Sequence, residues 1–180
     1  MQKESFKKEI AGNVIIVIIA FGVMFFLVKF LVLNARIPSE SMQNTIMVED
    51  RIIGNRLAYK KKGPERYDIV IYKYPDDESQ YYIKRVIGLP SDTIDIRDGH
   101  VYINDEEQPA REDFCPDAGV TDEGEMTFPI TVPQDAYSVL GDNRKNSADS
   151  RYWENHFVSK DEILAKAVFR YWPFTKIGKI

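Results

Sequence analysis

Three short stretches carry residue types suited to covalent chemistry at a carbonyl. The first is Arg36-Ile37-Pro38-Ser39-Glu40-Ser41-Met42, with serines at alternate positions. In an extended segment Ser39 and Ser41 share one face, and Pro38 stops a preceding helix from running through them. Most serine-rich stretches are plain linkers, yet the apolar flanks Ile37 and Met42 are unusual in one. The second is Lys84. Strand alternation puts Tyr82, Lys84 and Val86 on one face and Ile83, Arg85 and Ile87 on the other, so each apolar face carries one cation. Arg85 cannot lose its proton and, if buried, needs a carboxylate partner. Lys84 can: desolvation lowers a lysine pKa from about 10.4, and a value of ~7–8 makes a usable general base. The ordinary alternative is an edge lysine with its ammonium in water. The third stretch, GDNRKNSADSRYW (141–153), packs Asp142, Arg144, Asp149 and Arg151 beside Asn143, Asn146, Ser147 and Ser150. Alternating carboxylates and guanidiniums suit bidentate pairs that brace a loop over a site, though a polar surface turn with incidental pairs has the same composition.

Other chemistry is poorly supplied. His100 follows the Asp98-Gly99 turn and His156 lies in Glu154-Asn155-His156, neither in a serine–histidine–aspartate motif. Two histidines and one cysteine offer no multi-cysteine zinc site and no intramolecular disulfide framework. Cys115 sits among acidic neighbours that oppose its thiolate. Neither a metal nor an organic cofactor is expected. Lys60-Lys61-Lys62 reads as a solvated turn.

The elements that must position these stretches follow from patterning. Residues 11–28 carry no charge, and the apolar run resumes after Lys29 as far as Leu33. As a helix at 1.5 Å per residue, 18 residues cover about 27 Å and the longer run about 34 Å, enough to cross the ~30 Å hydrocarbon layer. A buried soluble helix rarely lacks charge for so long. A cleaved secretory signal would have a shorter apolar region and a small residue where Leu33 stands. The reading is a retained anchor over 11–33, with residues 1–10 as a short cytoplasmic N-terminus and 34–180 as an extracytoplasmic domain. Lys3, Lys7 and Lys8 favour the cytoplasmic N-terminus only weakly, because Lys29 sits near the far end of the span and Arg36 just beyond it.

The whole 180-residue chain has 24 Lys plus Arg against 28 Asp plus Glu. Removing the four Lys and two Glu of residues 1–33 leaves 20 basic and 26 acidic residues, a net −6. With a pI near 5.3, that balance argues against a nucleic-acid partner. A mean hydropathy of −0.34 excludes a polytopic membrane protein. Beyond the anchor, RYDIVIYKYP (66–75) and QYYIKRVIGLP (80–90) read as strands, and DTIDIRDGHVYIND (92–105) as a hairpin turning at Asp98-Gly99. MTFPITVP and AYSVLGDN supply two more strands, while polar 105–126 reads as the exposed part of an insertion spanning about 93–135. Ser159 and Glu162 suggest a capping box for a short helix before AVFRYW. The fold class is therefore mainly β, carried on one membrane helix.

In this order, the anchor, PSESM (38–42), RYDIVIYKYP, YYIKRVIGLPSD (81–92) and GDNRKNSADSRYW resemble the bacterial type I signal peptidases, in size the shorter Gram-positive type. The resemblance covers nearly all of the chain beyond the anchor. It implies a β-rich catalytic domain with a small inserted β subdomain, on the outer side of a bacterial cell membrane. It also implies a Ser/Lys dyad protease that removes signal peptides from exported preproteins after small residues (Ala-x-Ala). By resemblance Ser41 is the nucleophile and Lys84 the general base. Ser39 assists the oxyanion hole, Ser147 orients the Lys84 amine, and Asp142, Asp149 and Arg151 support the loop. Ile37, Pro38, Met42, Tyr82, Ile83 and Ala148 are the candidate substrate-binding walls. The expected partners are signal peptides and the lipid bilayer; nothing in the residues bears on oligomeric state. Two positions depart from the family: its usual proline two residues after the Ser-Met pair is Asn44, and its glycine after the Tyr-Trp pair is Glu154. Two rival readings stay open, a specialised or non-catalytic membrane-tethered scaffold and another Ser/Lys peptidase such as a self-cleaving repressor.

Overall fold

A computed structural model describes residues 2–117 and 119–180, with side chains from Gly12 onward. The apolar run lies in α1 (Gln2–Leu31), in which Gly12–Leu31 is long and apolar enough to cross a membrane and has none of its length buried among the described residues. The helix stops two residues short of the expected span, because Val32 and Leu33 already pair as the start of β1 (Val32–Arg36). The Leu31 carbonyl, orphaned at the helix end, accepts the Arg56 N–H at 3.0 Å.

There follow β2 (Arg51–Asn55), β3 (Ile69–Tyr74), β4 (Asp77–Gly88), β5 (Thr93–Arg97) and β6 (His100–Ile103), then β7 (Ile130–Thr131), β8 (Ala136–Leu140), β9 (Val158–Ser159), β10 (Ile163–Trp172) and β11 (Gly178–Lys179). The main sheet is antiparallel in the order β1-β2-β10-β3-β4-β8-β9, with β11 added on β10. Strands β3 and β4 are the alternating, β-branched stretches read from the sequence. Tyr74 pairs with Asp77 across Pro75-Asp76, so pairing resumes three residues before the expected start. The ten-residue β10 joins β2 to β3 at the centre of the sheet. The helix expected before AVFRYW is one 3-10 turn, Lys160–Glu162, with both capping-box bonds formed.

A second sheet, β6-β5-β7, lies between β4 and β8 in chain order. Its hairpin turns at Asp98 (φ 51°) and Gly99 (φ 79°), two successive left-handed residues as a type I′ turn requires. Its apolar side chains Ile94, Ile96, Val101 and Ile103 pack with Ile87 of β4 and Leu140 of β8, so the two sheets share a core. Residues 105–126 are not simply exposed. Phe114, Cys115, Thr121 and Met126 are buried, because the segment wraps back over that core.

Candidate active site

Ser41 follows β1 on a short turn that the sheet pins from both sides. Ile37 N–H donates to the Asp50 carbonyl, and Asn143 N–H donates to the Ser41 carbonyl at 3.0 Å. Lys84 lies in the middle of β4, opposite Val70 of β3. These supports bring together two residues 43 apart in sequence: Lys84 Nζ lies 2.6 Å from Ser41 Oγ, both side chains buried. Ser39 Oγ is 3.3 Å from Ser41 Oγ, on the exposed side. Burial pulls the Lys84 amine down to about 8, against the opposing pull of the Asp149 and Asp142 carboxylates and with help from Arg151.

Desolvation prevails because both carboxylates already face guanidiniums. Asp142 takes a bidentate pair from Arg85, at 2.8 and 2.6 Å, and a hydrogen bond from Thr45 Oγ1. Arg85 also lies 4.1 Å over the Phe114 ring. Asp149 takes Nε and Nη2 of Arg151 at 2.8 and 3.0 Å, both side chains fully buried, and accepts the Gly141 N–H. Arg144 donates to the Gly141 carbonyl and to Glu112 and Thr121 of the wrapping segment. Gly141 itself must be glycine. A Cβ there would sit 2.2 Å from Ser147 Oγ and 2.5 Å from the Ser41 carbonyl oxygen.

Ser147 Oγ is buried beside Gly141 without a hydrogen-bond partner, so the bond to Lys84 that the resemblance implies is not formed. A cleft of about 460 Å³ opens on the pair, lined by Pro38, Ser39, Glu40, Tyr82, Ile83 and Ala148 among others. An adjoining groove of about 230 Å³ runs back along Leu33–Pro38 to the end of α1, with Ile37 in its wall. Met42 lines neither; it is fully buried in the apolar cluster of Leu33, Ile46 and Ile52, and its wall role is withdrawn. Gln80, Tyr81, Asn146 and Glu40 also line the cleft but were not among the candidate site residues. Their only signal was that they lie in or beside the three chemical stretches. His100 pairs with Glu112, and His156 bonds the Ser150 carbonyl. Among the described residues no cluster of His, Cys, Asp and Glu could hold a metal.

The two family departures are accommodated locally. Asn44 has φ 87°, which proline cannot adopt, and its amide donates to the Phe114 carbonyl at 3.0 Å. Glu154 lies on an exposed turn whose N–H donates to Asp76.

The family model for signal peptidases, peptidase S26, matches residues 10–172. A probable signal peptidase I-2 of Synechocystis sp. is 38% identical over 168 residues, covering 90% of this chain and 71% of that protein. A signal peptidase IB of Staphylococcus aureus is 32% identical over 184 residues, covering 94% and 93%. A crystal structure of a signal peptidase I from Enterococcus faecalis V583 aligns with 34% identity and a TM-score of 0.48, covering 58% of this chain and 97% of that one.

Proposed function

The chain belongs to the signal peptidase family, peptidase S26, and from that premise we propose that it is a membrane-anchored endopeptidase cutting signal peptides from exported preproteins after small residues. The observation that carries the reading is the buried 2.6 Å contact between a nucleophilic hydroxyl and an amine whose pKa burial lowers to about 8. Neutral Lys84 takes the Ser41 proton as Oγ adds to the scissile carbonyl. The tetrahedral oxyanion collapses to an acyl-enzyme, and the Lys84 ammonium returns the proton to the departing amine. A water deprotonated by the same amine then releases the signal segment from Ser41. The Ser41 N–H and the Ser39 hydroxyl stabilise the oxyanion, each such donor contributing ~3–4 kcal/mol. Ser147, its hydroxyl buried and without a partner, acts by confining the Lys84 amine. Asp142, Asp149 and Arg151 hold the loop, and their opposed charges on the amine leave desolvation as the largest influence on it.

The cleft suits an extended peptide lying beside β4, its small side chains against Tyr82, Ile83 and Ala148. The anchor crosses a bacterial cell membrane once, N-terminus in the cytoplasm, so that the β domain meets exported chains on the outer side. The test is incubation of the full chain in detergent with several preproteins, mapping each new N-terminus. New termini following Ala-x-Ala-like sites support the reading; intact preproteins, together with no labelling of Ser41 by a serine-acylating probe, overturn it.

A further inference from the structure

The cleft continues past the nucleophile. Glu40 lines both the main cleft and a hollow of about 150 Å³ formed with Gln43, Met47 and Val48. The opposite end of the cleft runs through Pro38 and Tyr81–Ile83 into the groove along β1, which starts where α1 ends. Under the proteolytic reading, an apolar signal segment held in the bilayer approaches from the α1 end. The chain beyond the scissile bond then crosses Glu40 on its way out.

We propose that this hollow is a cation-accepting subsite for a lysine or arginine at the first or second residue of the released chain. Its lining combines one carboxylate with the half-buried Met47 and the exposed Val48. That pairing suits a side chain with an aliphatic stem and a cationic tip. The Glu40 carboxylate is held toward the GDNR loop by Asn146 Nδ2 at 3.1 Å, and its backbone carbonyl takes Asn143 Nδ2 at 3.2 Å. Among the described residues Glu40 makes no ion pair, whereas Arg36, four residues before it, pairs with Glu49, and Lys145, next to Asn146, pairs with Asp117. An incoming cation therefore has no internal competitor, and an incoming Asp or Glu meets an uncompensated like charge. Because Glu40 is exposed, the preference is modest, about two- to fivefold for each change of charge.

The inference rests on the protease reading, and the experiment separates the two. Full-length enzyme in detergent is given preprotein sets differing only in Lys, Gln or Glu at the first or the second released residue. The expected order of kcat/KM at one of these positions is Lys, then Gln, then Glu, narrowing at ~0.5 M salt as screening shortens the reach of the carboxylate. Glu40→Gln should collapse the order and Glu40→Lys reverse it. Cleavage with the same Lys-to-Glu ratio in the wild type and Glu40→Gln overturns the subsite while leaving the protease reading intact. So does a Glu40→Gln loss shared equally by all three substrates, which would make Glu40 merely structural. No cleavage of any substrate by the wild type brings down both.

Discussion

Lys84 and Arg85 are neighbours on β4, both cationic by type and both buried, yet their surroundings lead to opposite outcomes. Arg85 keeps its charge inside the protein because Asp142 meets it with two hydrogen bonds, while Thr45, the Tyr67 carbonyl and the Phe114 ring complete its shell. Among the described residues Lys84 Nζ makes one hydrogen bond, to the hydroxyl of Ser41, and no ion pair. Burial with a partner makes a structural strut; burial without one makes a base. The difference between them is the position of the carboxylates, both of which the guanidiniums hold.

The sharpest way to break the comparison is to remove its chemical half. Ser41→Ala and Lys84→Ala should each lower kcat at least ~10³-fold in a domain that stays folded by circular dichroism. Lys84→Arg should be equally inactive, since a guanidinium cannot become a neutral base. Turnover by Lys84→Arg above about a tenth of wild type would show that the site needs charge rather than a proton acceptor.

The structural half should fail in stability. Arg85→Met leaves Asp142 buried and unpaired and should cost about 3–5 kcal/mol in denaturant unfolding. Adding Asp142→Leu should recover most of that loss, because no orphaned charge remains. A single variant as stable as wild type would deny the strut role.

Ser39→Ala tests the periphery of the pair. It should lower kcat by ~10²–10³ with KM nearly unchanged, the typical effect of one oxyanion donor, and Ser39→Thr should restore much of the rate. Ser147→Ala should also act on kcat, by releasing the amine to unproductive rotamers. Single-turnover rates read both.

The smallest effect sharpens the contrast through pH. The amine titrates near 8 when folded and near 10.5 when unfolded, so between those values the unfolded chain binds more protons. Its burial therefore costs stability below about pH 8, and the cost fades as pH rises toward 10.5. Lys84→Met should raise the free energy of unfolding at pH 7 by about 1–3 kcal/mol and lose that advantage near pH 10.5. Wild-type kcat should fall about tenfold per pH unit below 8. Replacing both His100 and His156 should leave that limb in place; its disappearance would move the base to a histidine.

Legibility followed the range of the forces involved. The apolar helix, the alternating β3 and β4 and the Asp98-Gly99 turn depend on residues close in sequence, and their types and spacing sufficed. β1, β2 and β10 were not read. Their residues, such as Arg51-Ile52-Ile53-Gly54-Asn55, have weak alternation, and they are strands because each finds a partner far along the chain. The segment 105–126 looked exposed because its charges dominate its composition, while the few apolar side chains that bury it gain their energy only against a core built elsewhere. Met42 had the chemistry of a pocket wall but turned inward to Ile46 and Ile52.

The sequence by itself determined which side chains could react: two spaced serines, one deprotonable cation on an apolar strand, and carboxylates interleaved with arginines. Those are covalent properties and need no fold. Only the tertiary structure decided that Ser41 and Lys84 meet at 2.6 Å, that Asp142 and Asp149 are spoken for by Arg85 and Arg151, and that among the described residues Glu40 makes no ion pair. A pKa and an ion pair depend on distance and on excluded water, and both come from strands paired across dozens of residues of chain.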